Sequence, residues 1–150
     1  MDFLYVILIS AMPVFELRAG IPVAIYLGIS PIEAYFLAVF GNFLPVPFLL
    51  ILFERLLSFV RRFGVLWNLY IAIQGRVQKK KELIDKYGYL GLAIFVAIPF
   101  PATGAWTGCL LAFLLRLNSF KASIAILVGI LFAGILVLIP ILGIVNFLKI

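Results

Sequence analysis

The stretch IPFPATGAWTG, Ile98 to Gly108, lies in the middle of a hydrophobic run and cannot be a plain helix. Pro99 and Pro101 each remove a backbone donor and push the preceding residue toward extended geometry. Thr103 adds a hydroxyl, and Gly104 and Gly108 add two positions where another group can come close to the backbone. Lipid cannot hydrogen-bond the polar groups freed by such a break. The stretch is therefore expected to be buried in protein or to line a wet cavity, as the discontinuous helices of transporters do.

Lipid is the solvent that the composition implies. Of the 150 residues 66% are hydrophobic and 12% charged, and the mean hydropathy is +1.28. This is an integral membrane protein of one compact domain, 1–150. The net charge of +6 does not indicate nucleic acid, because the basic residues gather in one segment beside apolar runs, which fits a cytoplasmic membrane face. Asp2 and the lack of Lys or Arg before the first apolar run argue against a cleaved signal peptide. The chain has no histidine and one cysteine, Cys109. That excludes disulfides within the chain, zinc sites of the usual ligand types, and Ser-His-Asp or Cys-His catalysis. No enzymatic activity, catalytic residue, metal or cofactor is expected, and Cys109 reads as packing.

The first apolar run, Phe3 to Gly28, is interrupted by Pro13 and then by Glu16 and Arg18, with Gly20 and Pro22 following. Its arms would each be about 15 Å of helix, half the hydrocarbon thickness. That suits a re-entrant hairpin as well as one kinked span. Ser30, Pro31 and Glu33 then form a capping box that opens a membrane-crossing helix to Phe53, whose centre is marked as irregular by Gly41, Asn42, Pro45 and Pro47. Residues 54–87 hold eight Lys and Arg against three acidic residues, with a polar stripe at helical spacing. They predict a basic amphipathic helix at the membrane surface, or a solvated basic linker. A second broken run covers 88–115. Arg116 closes it, and Asn118 or Ser119 can cap a crossing helix, Ser119 to Leu148, with Pro140 near its far end.

Moving the chain along itself pairs Gly20 with Gly108, Ser30 with Asn118, Ala34 with Ala122 and Gly41 with Gly129. Both halves read as a broken run, a capped turn and a crossing helix. The fold expected is thus all-α, with two inverted repeats (1–53 and 88–150) of re-entrant hairpin plus transmembrane helix, joined by the connector 54–87. Four ordinary kinked spans are the alternative. Charge favours hairpins: they put 10 of the 12 Lys and Arg on one face, which the positive-inside rule makes cytoplasmic in a multi-pass cell-membrane protein.

Glu16 and Arg18 are the ionisable side chains well inside the broken runs. An intramembrane charge costs at least about 2.5 kcal/mol, so a partner or a function is expected. Either the two neutralise one another and pin the hairpin tip, or Arg18 holds an anionic headgroup while Glu16 binds and releases a proton. The half-helix beginning near Ala102 would add free N–H groups, with Thr103, Gly104, Trp106 and Thr107 beside the substrate. The plain alternatives are close packing for Thr103, Gly104 and Gly108, and an ordinary packed or interfacial ring for Trp106. Pro13, Gly20, Pro22, Pro99, Pro101 and Gly108 are read as the hairpin breaks. Gly104–Gly108 and Gly129–Gly134 offer faces for a homodimer.

FELRAGIP (Phe15–Pro22) and KYGYLGLAIFVAIPFPATGAWTG (Lys86–Gly108) closely resemble the family named "putative small multi-drug export proteins", which looks like a short branch of the DedA/VTT superfamily. The resemblance implies two inverted re-entrant hairpins meeting in the membrane. It also implies movement of lipids or polyprenyl-phosphate carriers between leaflets, coupled to protons or other ions, with Glu16 as the hairpin acid. Many DedA proteins carry arginines in the second hairpin, and this tip has none. The leading expectation is a proton-coupled flippase of polyprenyl phosphate or phospholipid. The alternatives are a proton-coupled exporter of lipophilic cations and a membrane scaffold that transports nothing.

Overall fold

A computed structural model of the chain describes residues 1–60, 64, 67–68, 71–72, 81–100 and 103–148. The expected amphipathic connector and the break residue Pro101 fall largely or wholly outside them. The regular structure described is helical throughout: α1 (Asp2–Ala11), α2 (Glu16–Tyr26), α3 (Pro31–Phe43), α4 (Pro45–Val60), α5 (Lys81–Ala97), α6 (Ala105–Leu114) and α7 (Ser119–Leu148). Two segments are long and apolar enough to cross a bilayer, Pro31–Leu56 and Ser119–Val145. The first is α3 running into α4, interrupted at Leu44 where Pro45 and Pro47 withdraw two donors. Phe36, Phe40, Phe48, Phe120 and Phe132 on these helices are more than half exposed. Phenylalanine surfaces of this extent are stable against lipid rather than water.

The caps follow local chemistry. Ser30 Oγ accepts from the Glu33 N–H at 3.4 Å and donates to its carboxylate at 2.9 Å. Asn118 Oδ1 accepts from the Lys121 N–H at 3.2 Å. Each satisfies donors that a helix start leaves open. The turns before them are also alike. Helix α2 ends on Gly28, with φ 80°, and the Ile29 N–H closes onto the Ala24 carbonyl at 3.0 Å. Helix α6 ends on Arg116, with φ 52°, and the Leu117 N–H closes onto Ala112 at 3.0 Å. Gly28 takes this left-handed conformation without strain, and Arg116 takes it at a cost of about 1 kcal/mol.

Glycines draw the helices together. A Cβ on Gly20 would lie 1.9 Å from Ser10 Oγ, and one on Gly41 would lie 2.5 Å from the Ile7 carbonyl and 2.9 Å from Ser10 Cβ. Ser10 is thus wedged between α2 and α3. In the other half, Gly108 would meet Val96 at 2.6 Å and Gly129 would meet the Ala93 carbonyl and Val96 Cβ, both at 2.7 Å. Val96 is the corresponding wedge. Gly104 and Gly134 also face the chain's own side chains, Glu16 and Tyr35. The glycine faces offered to a homodimer are therefore used within one chain.

Three expected breaks lie inside helices. Gly20 and Pro22 belong to α2, and Gly108 belongs to the first turn of α6. The interruptions are shorter, 12–15 and 98–104. Gly20 and Gly108 mark close approach instead, and Pro22 leaves its helix unbroken while freeing one carbonyl.

Candidate functional site

The two interruptions meet. Glu16 opens α2 with a left-handed backbone, φ 51°, fixed by its N–H on the Met12 carbonyl at 3.0 Å. A non-glycine residue in this region carries about 1–3 kcal/mol of strain and persists where its surroundings hold it. What holds Glu16 is the far half of the chain. The residue is only 7% exposed, and its carboxylate lies at the start of α6, against Gly104 and near the backbone N–H groups of Ala105 and Trp106. These are among the open donors at the start of α6, where a negative charge also meets the positive end of the helix dipole. A Cβ on Gly104 would fall 2.1 and 2.3 Å from the carboxylate oxygens, so no other residue leaves the acid room. The helix start expected to face a phosphate thus faces the protein's own carboxylate.

Arg18 reaches the same region from the opposite side of α2. Its guanidinium donates to the carbonyls of Phe100 and Thr103 and, at 3.3 Å, to Thr103 Oγ1. The Thr103 hydroxyl lies 2.6 Å from the Ile98 carbonyl and 2.8 Å from that of Phe100, and accepts the Phe100 N–H at 3.2 Å. It knits the second break together rather than pointing outward. Pro99 leaves that break short of a donor, and Arg18 supplies several to its carbonyls, each charge-assisted bond contributing about 1.5–3 kcal/mol. Thr107 Oγ1 accepts the Gly104 N–H at 3.0 Å and so caps its own helix.

The reach is reciprocal. Trp106 Nε1 donates to the Ala11 carbonyl at 3.1 Å, closing the C-terminal end of α1. By the pairing of Gly20 with Gly108, Arg18 corresponds to Trp106 and Glu16 to Gly104. Each tip therefore sends a donor into the other's break, and the acid sits against its own counterpart. Of the residues nominated from sequence, Glu16, Arg18, Thr103, Gly104, Trp106 and Thr107 come together here. Pro13 lies in the first turn and is exposed.

Sequence reasoning missed Ser10 as a polar group and used Asn42 only to mark an irregular helix. Ser10 is fully buried and Asn42 is 2% exposed. Ser10 Oγ and Asn42 Oδ1 have no hydrogen-bond partner among the described residues. A buried unpaired polar group costs about 1–3 kcal/mol. The available signal was the residues paired with them in the second half, apolar Ile98 and Ile130. Cys109 is buried, its Sγ 3.9 Å from the Val46 carbonyl, as a packing residue.

The model of the family described as "Putative small multi-drug export protein" matches residues 16–136, most of the chain, and the chain belongs to that family. No curated protein and no solved structure matches it. The match begins at Glu16 and takes in both tips. Its description agrees with the drug-export alternative rather than with the lipid flippase.

Proposed function

From membership in that family, we propose that the chain is a small secondary transporter that exports amphipathic molecules, lipophilic cations foremost, with Glu16 as the site of the coupling proton. The frame is a pair of inverted repeats, each a re-entrant hairpin followed by a crossing helix, in the cell membrane. The basic segment 54–87 faces the cytoplasm, as the positive-inside rule requires. The contact of Glu16 with its own counterpart Gly104 supports this frame. So does the exchange of Arg18 and Trp106 between breaks, since equivalent residues meet where a two-fold axis passes.

The observation that carries the mechanism is the buried carboxylate of Glu16 packed on Gly104 at the positive end of α6. Protonating Glu16 removes the charge that binds it to the helix dipole, and the tips can part. Deprotonation draws them together again, or lets a lipophilic cation take the proton's place. The guanidinium of Arg18 is turned to the Phe100 and Thr103 carbonyls and stays cationic, so the Glu16 carboxylate is the group that attracts the cation.

The test is proton-driven uptake of a fluorescent lipophilic cation into proteoliposomes. Wild type should transport, and Glu16→Gln should lose at least tenfold in rate while remaining folded. A Glu16→Gln variant as fast as wild type would overturn the mechanism. Lipid as substrate is a second reading, favoured by a cleft of about 200 Å³ between α4 and α7. The cleft is lined by Pro47, Leu50, Ile51 and Phe120, with Ser119 and Ser123 beside them. Leaflet exchange of a labelled phospholipid, with no cation transport, would select that reading.

A further inference from the structure

The cleft between α4 and α7 has an acidic rim. Pro47, Leu50 and Ile51 form one wall, and Phe120 with Ser119 and Ser123 forms the other, around about 200 Å³. Steps of three and four residues carry the first wall from Pro47 through Leu50 and Ile51 to Glu54. Ser119 Oγ donates to Glu54 Oε1, which holds the carboxylate against a residue that lines the cleft. Glu54 is exposed, and this is the hydrogen bond it takes among the described residues. It lies near the end of the apolar span Pro31–Leu56, where hydrocarbon gives way to water.

The polar groups of the cleft select the sign of a ligand. Ser119 spends its hydroxyl proton on Glu54, and Ser123 spends its own on the Phe120 carbonyl at 2.8 Å. A phosphate would meet a carboxylate here, and no hydroxyl proton to spare. The cations on the two helices stand to the side. Arg55 follows Glu54 at about 100° around α4, and Lys121 is about 200° around α7 from both Ser119 and Ser123. Glu54 is therefore the charged side chain in line with the cleft. Phe120 adds an aromatic ring, whose face attracts cations. Pockets that enclose a whole drug-sized ligand hold about 300–1,000 Å³. This smaller cleft suits one ring or alkyl arm, with the cationic centre at the rim and the rest of the molecule in lipid.

We propose that the cleft, with Glu54 at its rim, is a docking subsite for lipophilic cations, entered from the bilayer and distinct from Glu16, which does not line it. This rests on the transporter reading above, in which the subsite collects the cation before Glu16 takes it. Charge complementarity carries the choice of occupant: the walls are apolar, and the charge that faces a ligand is negative.

The test is equilibrium binding of tetraphenylphosphonium to the purified full-length protein carrying Glu16→Gln, so that the buried acid takes no part. Tetraphenylborate, an anion of the same shape, is the control. The phosphonium should bind saturably and the borate at least tenfold more weakly. Adding Glu54→Gln should weaken phosphonium binding at least tenfold. Ser123→Phe, which fills the cleft and leaves the charge in place, should do the same. Unchanged binding in either variant overturns the subsite. So does borate bound as tightly as the phosphonium, which would mark a groove for lipid tails. Transport separates the two readings. Export by wild type without any Glu54-dependent binding removes only the subsite, whereas Glu54-dependent binding in a protein that never transports keeps the subsite and removes the transporter.

Discussion

The two halves share turns, caps and glycine seams but differ in what they place at the centre. Around the first break stand Glu16, Arg18, Ser10 and Asn42. At the positions paired with these in the second stand Gly104, Trp106, Ile98 and Ile130. The first half brings side-chain charge, and the second brings bare backbone for that charge to bind. The features the halves share belong to folding, while the differences belong to the site. The stretch between α5 and α6 is longer than the first break, 12–15, and the described carbonyls of Phe100 and Thr103 in it take Arg18 as their partner.

If the seams are equivalent, they should fail alike. Gly41→Val and Gly129→Val each push a side chain into a carbonyl, of Ile7 or Ala93, and overpacking of this kind costs about 3 kcal/mol. Both variants should lose most of the folded yield in size-exclusion chromatography. Tolerance of one alone would break the symmetry. The site residues should fail unequally. Arg18→Met removes charge-assisted bonds to the second break and should cost about 2–3 kcal/mol, whereas Trp106→Phe removes one neutral bond worth about 1 kcal/mol. Thermal unfolding of the pair gives that order directly, and the reverse order would show that the second half holds the first. The smallest effect should again be equal. Ser30→Ala and Asn118→Ala each remove one cap, for about 1 kcal/mol apiece, read as matched shifts in unfolding midpoint.

What the sequence made legible was local. Ser30 and Asn118 announce helix starts because capping depends on neighbours a few residues away. The interrupted runs announce short helices because proline and lipid are incompatible outside a protected break. The pairing of Glu16 with Gly104 could not be read locally, since it depends on how distant segments dock. Gly20, Pro22 and Gly108 looked like breaks because glycine and proline in an apolar run mark both interruptions and close contacts. Only the neighbours, Ser10 and Val96, distinguish the two. The phosphate role of the α6 start looked available because its donors are open in an isolated helix, and here the Glu16 carboxylate stands in front of it. Aligning the halves does place Arg18 on Trp106, so that part of the reciprocity was present in the numbering.

The central claim is that the two tips touch through Glu16 and Gly104. Cysteines at both positions, in a Cys109→Ser background with a protease site inserted between residues 61 and 80, test it in native membranes. Oxidation should bridge the pair, so that the halves stay joined after cleavage until a reductant is added. A control pairing Glu16→Cys with Gly91→Cys, whose surroundings are open, should separate at once. If the Glu16–Gly104 pair also separates from protein that is folded and fully oxidised, the tips do not meet and the site is dismantled.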